Sequence, residues 1–229
     1  MNLFFNINSI VSLTTFQSIL LHLFSLYQLK STPNETFDYH QADIRVMERL
    51  TSSPYIVDAF GFCGQSVLTE YATGSARTFL KGIKRNMERV EFAHDLARAL
   101  ASIHNIGNSE KDIGLRPTVA HNDINIANAV MIGSQVKLND FNLALMMRKN
   151  KTDESLCGHP VRFDRYKWAS PEDTRNTSYV NPAQSDVYSL GNLLFSVLTT
   201  RQPWTNLEVE GKPTEEQVRG AKLKGKLPH

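Results

Sequence analysis

The sequence predicts an α+β fold, with a β-containing first half and a mainly helical second half. Three observations carry this. Two runs rich in β-branched and aromatic residues, 55–62 and 66–71, flank Cys63-Gly64-Gln65, a glycine-bearing connection short enough for a hairpin. Residues 86–104 place Ala93, Leu96, Ala97, Leu100 and Ile103 on one face at helical spacing. A second helical stripe, Val187, Leu190, Leu194, Val197 and Leu198, follows Ser185, which reads as its N-cap.

The remaining elements follow in chain order. Residues 3–27 are rich in Leu, Phe and Ile but are interrupted by Asn6, Asn8, Gln17 and His22. No Lys or Arg precedes them, so a signal peptide is not indicated, and the run is not clean enough for a membrane span. Residues 38–50 read as a helix with Ala42, Val46, Met47 and Leu50 on one face, and Ser53-Pro54 stops it because a residue before proline is pushed out of the helical region. Thr73-Gly74-Ser75 marks the break between the halves. Residues 105–117 are polar and hold two glycines, which reads as a loop. The runs 129–132 and 135–138 flank Gly133-Ser134, the signal for a two-residue hairpin turn. Thr214 with Gln217 after Pro213 fits a capping box that starts a last short helix.

Composition narrows the function classes. With 41% hydrophobic and 21% charged residues, the 229-residue chain is ordinary globular material, able to bury a core without metal or disulfide staples. A net charge of +2 gives no electrostatic case for nucleic acid or an anionic membrane. Cys63 and Cys157 form no CxxC pair, which favours free thiols in an intracellular, cytoplasmic protein.

The chemistry concentrates in one string, His121-Asn122-Asp123-Ile124-Asn125-Ile126-Ala127-Asn128, followed twelve residues later by Asp140-Phe141-Asn142. The hairpin between them can fold Asp123, Asn128 and Asp140 together. Phosphoryl transfer needs hard oxygen ligands for magnesium and a carboxylate to orient the attacking hydroxyl and take its proton. The string resembles the protein-kinase catalytic loop H-R-D-x-K-x-x-N and a variant of D-F-G. Ser170-Pro171-Glu172 resembles the A-P-E that closes the activation segment, and Asp186-Val187-Tyr188-Ser189-Leu190-Gly191 resembles the opening of the family's large central helix. Val46 to Leu50 and Leu68-Thr69-Glu70-Tyr71 resemble the end of helix C and the strand entering the hinge.

The resemblance implies a protein-kinase-like two-lobe fold with an incomplete β-rich N-lobe and a mainly helical C-lobe. Residues 1–27 are an apolar segment without an assigned role, 28–72 a partial N-lobe and hinge strand, and 73–229 a C-lobe ending near helix G. It implies ATP and magnesium as cofactors and a protein hydroxyl as acceptor. Asp123 is then the catalytic base, and Asn125 stands beside it where the family has lysine. Asn128 and Asp140 hold magnesium, Asp140 also facing the nucleotide. Thr69 is the gatekeeper, Glu70 and Ala72 offer backbone groups to adenine, Val130 packs under the ring, and Lys30 is the candidate ATP-positioning lysine opposite Asp43. His121 and Phe141 belong to an internal stack resting on Asp186.

Departures from the pattern define the alternatives. No glycine-rich loop precedes helix C, and residues 1–30 hold no glycine. Asn122 replaces the arginine that pairs with a phosphorylated activation loop, so activity is expected not to depend on such phosphorylation. Asn125 cannot neutralise developing charge as lysine does. Asn142 replaces glycine after Asp-Phe and is expected to take the left-handed turn there. An active protein kinase, with Ser or Thr preferred to Tyr, is one reading. A pseudokinase that binds nucleotide or acts as a scaffold is the second. A small-molecule kinase of the choline or aminoglycoside type is the third, and Ser170-Pro171-Glu172 argues against it.

Overall fold

Antiparallel pairing organises the first part of the chain. In the computed structural model, β1 (Tyr27–Ser31), β2 (Ala59–Cys63) and β3 (Ser66–Glu70) form a sheet in the order β1-β3-β2. Lys30 lies opposite Val67 in this ladder. The structure describes residues 27–31, 37–51, 53–63, 66–108, 117–153, 155, 157, 166–175, 180–209 and 211–228. The apolar stretch 3–26 and the side chains of Lys30 and Cys63 lie outside the described residues.

Helix α1 (Phe37–Leu50) packs on β2 and buries Val46, Met47 and Leu50, and among its described side chains the charged Asp43 is buried as well. The expected strand from Tyr55 is shorter than predicted and begins at Ala59. Residues 55–57 leave the sheet and run beside the later hairpin instead. Val57 N–H donates to Leu138 O at 3.0 Å, and Leu138 N–H donates to Tyr55 O at 2.9 Å. The reason is burial: Ile56 and Val57 are successive apolar residues, and both are covered only where the halves of the chain meet.

Glycine 74 does not simply interrupt the chain. Gly74–Ser75 is β4, and it leads into α2 (Ala76–Gly82), a helix the apolar pattern did not announce. Its N-terminus is fixed by Ser75 Oγ, which accepts from Thr78 N–H at 3.2 Å. Helix α3 (Asn86–His104) has the predicted bounds and buries Phe92, Leu96, Ala99, Leu100 and Ile103. Strands β5 (Val119–Ala120), β6 (Ala129–Ile132), β7 (Gln135–Leu138) and β8 (Leu145–Met146) complete two small sheets, β4-β6-β7 and β5-β8. Gly133 sits at φ 61° in the first central position of the β6–β7 turn, which is why a glycine is needed there.

Helix α4 (Pro182–Thr199) departs from the expectation in two ways. Its N-cap is Asn181, whose Oδ1 accepts from Ala183 N–H at 3.1 Å, with Pro182 at the first helical position; Ser185 is inside the helix. Its inward face is also not the predicted stripe. Val187 and Leu198 are 58% and 52% exposed, whereas Ser185, Asp186, Ser189, Asn192 and Ser196 are buried beside Leu193 and Val197. Those polar side chains face inward because each has a hydrogen-bond partner. Helix α5 (Glu215–Leu223) starts with the predicted capping box between Thr214 and Gln217.

The core joins both halves: Met47 from α1, Ile56, Leu138 from β7, Phe141, Ile124, Leu100 from α3 and Leu193 from α4 belong to one buried cluster. Trp204, Val218 and Ala221 form a second, smaller one. No helix among the described residues is long and apolar enough to cross a membrane.

Candidate active site

The loop between β5 and β6 hangs from one carboxylate. Asp186 on α4 is 1% exposed, and its Oδ2 accepts from His121 N–H at 2.7 Å while Oδ1 accepts from Asn122 N–H at 2.8 Å. His104 Nε2, at the end of α3, lies 3.1 Å from Oδ2. Asn122 sits at φ 60°, a conformation that non-glycine residues seldom hold without support. The two charge-assisted bonds supply that support.

His121 is fully buried, and its ring lies 4.9 Å from that of Phe141, tilted by 44°. Its Nε2 faces Asn139 O at 3.2 Å, so Nε2 carries the proton, and Nδ1 has no hydrogen-bond partner among the described residues. Burial pushes the His121 pKa below its usual value, against the opposing charge of Asp186. His121 is therefore a neutral structural residue near pH 7, not a proton carrier.

Asp123 is 6% exposed and sits between two amides. Asn125 Nδ2 donates to Asp123 Oδ1 at 2.7 Å and to its carbonyl at 3.2 Å. Asn128 Nδ2 donates to Asp123 Oδ2 at 2.5 Å and to the same carbonyl at 2.9 Å. Asn125 Oδ1 in turn accepts from Ala127 N–H at 2.8 Å and starts the short 3-10 turn Ile126–Asn128. The loop thus supplies an amide donor to each oxygen of its own aspartate. Asn139 N–H donates to Asn128 O at 2.9 Å, which brings Asp140 to within one residue of Asn128. Asp140 itself holds a left-handed backbone conformation, with φ 69°.

This corrects the expectation for Asn142. The left-handed residue is Asp140, two positions earlier, and Asn142 is not among the residues at positive φ. Asn142 Oδ1 is instead buried without a hydrogen-bond partner among the described residues. Asp43 likewise has a described role that was not foreseen: its Oδ1 accepts from Phe141 N–H at 2.8 Å and so ties α1 to the turn after Asp140. A pairing of Asp43 with the Lys30 side chain lies outside the described residues.

The hinge-side candidates cluster where β3 meets β7. Thr69 is buried, and its Oγ1 donates to Glu70 O at 3.1 Å. Glu70 N–H donates to Asp58 O at 3.0 Å, which leaves its carbonyl, not its amide, as the backbone group it can offer. Its carboxylate accepts from Asp58 N–H at 2.7 Å and pairs with Lys137 Nζ at 2.6 Å. Val130 is half-buried on β6, opposite Lys137 and Ser75, and Ala72 is half-buried just before β4. Sequence reasoning missed Lys137. It stands between Val136 and Leu138 in a strand, where alternation predicts an outward lysine, and its partner is distant in sequence.

Beyond Asp140 the chain crosses to α4. Ser170 Oγ lies 3.0 Å from Ser185 Oγ, Ser170 N–H donates to Asp173 Oδ2 at 2.7 Å, and Ser185 Oγ donates to Asp173 Oδ1 at 3.1 Å. Glu172 is exposed, with Arg175 3.9 Å away.

Comparison with known proteins agrees with this geometry. The protein kinase domain family matches residues 25–225. The serine/threonine-protein kinase CTR1 of Arabidopsis thaliana is 29% identical over 177 residues, covering 72% of this chain and 19% of its own length. The dual specificity protein kinase shkD of Dictyostelium discoideum is 26% identical over 193 residues, covering 80% of this chain and 22% of its own length. A putative mitogen-activated protein kinase kinase kinase 7-like protein of Drosophila melanogaster is 31% identical over 149 residues, covering 62% and 33%. The chain thus spans a fifth to a third of the length of these curated relatives. With its sheet, helices and Asp186-bound loop in the order described, the chain belongs to the protein kinase domain family.

Proposed function

We propose that this chain is an ATP-dependent protein kinase domain that transfers the γ-phosphate to a serine or threonine hydroxyl of a protein. The observation that carries the reading is the Asp123 carboxylate, oriented by Asn125 and Asn128, with the Asn139 N–H bond to Asn128 O setting the left-handed Asp140 next in the chain. Asp123 orients the acceptor hydroxyl and takes its proton. Asn125 donates toward Asp123 and, being neutral, leaves charge on the transferring phosphoryl group to be balanced elsewhere.

The donor set suits magnesium bound together with nucleotide. Both Nδ2 hydrogen bonds of Asn128 go to Asp123, so Oδ1 is the atom left to coordinate, and Asp140 adds a carboxylate. Among the described residues no three His, Cys, Asp or Glu side chains group as a metal cage. Two protein oxygens fit an ion that takes its remaining ligands from phosphate and water. Magnesium held there by Asn128 and Asp140 would offset the charge of the phosphates. Thr69, the Glu70 carbonyl, Ala72 and Val130 are assigned to the adenine side, and Lys30, on β1 opposite Val67, to the phosphates. The name of the Arabidopsis relative, a serine/threonine-protein kinase, supports the choice of acceptor.

A second reading, a nucleotide-binding pseudokinase, is favoured by the orphaned Asn142 Oδ1 and by an Asp123 whose two oxygens already hold amide donors. The test is magnesium-dependent transfer of labelled γ-phosphate to a generic protein substrate. Transfer that disappears in Asp123→Ala and Asp140→Ala is the expected result. ATP binding with no transfer above those variants rejects the enzyme and leaves the pseudokinase.

A further inference from the structure

Helix α4 turns a polar face inward and leaves an apolar one outside. Its buried side carries the hydrogen-bonded Asp186, Ser189 and Asn192. On the opposite side stand Val187, Leu194 and Leu198, two turns and then one turn apart. Val187 and Leu198 are 58% and 52% exposed. Leu194 and its neighbour Phe195 are half-buried, and both lie outside the two core clusters. Asp186 is the one charged residue of α4, and it is buried, so this outer strip carries no charge that favours water. Apolar surface of that kind gains from being covered.

Gly191 lies within the strip, between Val187 and Leu194. It is exposed, and a Cβ built on it would meet no heavy atom within 4 Å among the described residues. Glycine weakens a helix interior relative to alanine. Here neither a left-handed φ nor a close neighbour within the chain requires it. The missing side chain does leave a notch at which a second helix can approach the α4 backbone.

Shape and charge select the occupant. Apolar side chains at positions 187, 194 and 198 form a helix ridge, which interdigitates best with the ridge of another helix. The strip is also complementary to itself. A two-fold axis near Gly191 sets two copies of α4 antiparallel, the Val187 end of one against the Leu198 end of the other, and brings no like charges together. We propose that the outer strip of α4 is a self-association surface that pairs two copies of this chain at Gly191. The pairing goes beyond the kinase reading and does not depend on it. From Val187 to Leu198 the strip is about 17 Å long and about 10 Å wide. An interface confined to it is smaller than the roughly 800 Å² per partner of a standard complex. The dimer is therefore weak, with a Kd on the order of 10–100 μM.

The experiment is sedimentation velocity on the full chain from about 2 to about 200 μM, in wild type, Leu198→Lys and Gly191→Leu. Wild type is expected to shift from monomer toward dimer across that range. Leu198→Lys sets a cation into each half of the interface and is expected to associate about tenfold more weakly, or less still. Gly191→Leu fills the notch and is expected to weaken association to a similar degree. Its urea midpoint at the lowest concentration should not fall, because leucine is the better helix former. A glycine that served only the fold of one copy would not separate the two readouts in this way. Wild type that stays monomeric throughout overturns the proposal. It does so equally if the monomer binds a hydrophobic dye that Leu198→Lys loses, since the strip then awaits some other partner. Variants that associate like wild type, or growth past the dimer, also overturn it. If Leu198→Lys fails to fold, Gly191→Leu decides. Association is read without phosphate transfer, so failure of the kinase reading leaves this test intact.

Discussion

Replacing Asp186 by asparagine tests whether one carboxylate suspends the catalytic loop. The substitution keeps size and shape but leaves one acceptor oxygen. That oxygen fits best at Oδ2, where His121 N–H and His104 converge. The new amide nitrogen then faces Asn122 N–H, donor against donor. A hydrogen bond to a charged group contributes about 1.5–3 kcal/mol, and a buried N–H left without a partner costs about 1–3 kcal/mol. Together with weaker bonds to His121 and His104, the loss comes to about 3–6 kcal/mol. That is a large share of the 5–15 kcal/mol, roughly, that holds a domain folded. Urea unfolding should show a lower midpoint at unchanged slope. Amide exchange at Asn122 should accelerate most, because its φ of 60° loses its hold. A loss of less than about 1 kcal/mol would mean that the loop is held by packing and that the argument from Asp186 is wrong.

Two further outcomes follow from the same geometry. Asn125→Lys places a cation beside Asp123 and the transferring phosphoryl group, and kcat should rise by about tenfold or more in steady-state transfer, with Asn125→Ala moving the opposite way; an unchanged or lower kcat for the lysine variant refutes the charge argument. Lys137→Met strands the Glu70 carboxylate, whose side chain is only 17% exposed, and should destabilise the fold by about 3 kcal/mol in urea unfolding, with Glu70→Gln restoring part of that loss in the double variant; additive single effects would show that the pair is not coupled.

Local signals in this chain were readable in the sequence, and distant ones were not. The bounds of α3, the Gly133 turn and the Thr214 capping box depend on residues a few positions apart, and each appears as read. The hairpin between the string His121 to Asn128 and Asp140 was also readable, because Gly133-Ser134 marks its turn. The start of α4 was misplaced because Ser185 looks like a cap, while its hydroxyl instead bonds Ser170 and Asp173 across the fold. The α4 face was misjudged for a related reason: an apolar stripe predicts burial only where the neighbour is apolar, and here much of the neighbour is polar, the N–H groups of His121 and Asn122 and the carbonyls of Lys167 and Trp168. Lys137 and Lys222 gave no local sign, since their partners lie 67 and 53–56 positions away. Asn142 misled because a glycine position was equated with the site of positive φ.

The backbone-held segment at 166–169 has a consequence for how such a domain can diversify. Lys222 donates to the Tyr166 and Ala169 carbonyls, Asn192 to those of Lys167 and Trp168, and Ser189 to that of Trp168, so the grip is on atoms that every amino acid possesses. Trp168 also packs against the main core and Tyr166 against the smaller cluster, which leaves Lys167 and Ala169 as the replaceable positions. Variation at these two can change the surface at small cost to the fold, whereas variation in the three donors disturbs the mount whatever surface it carries.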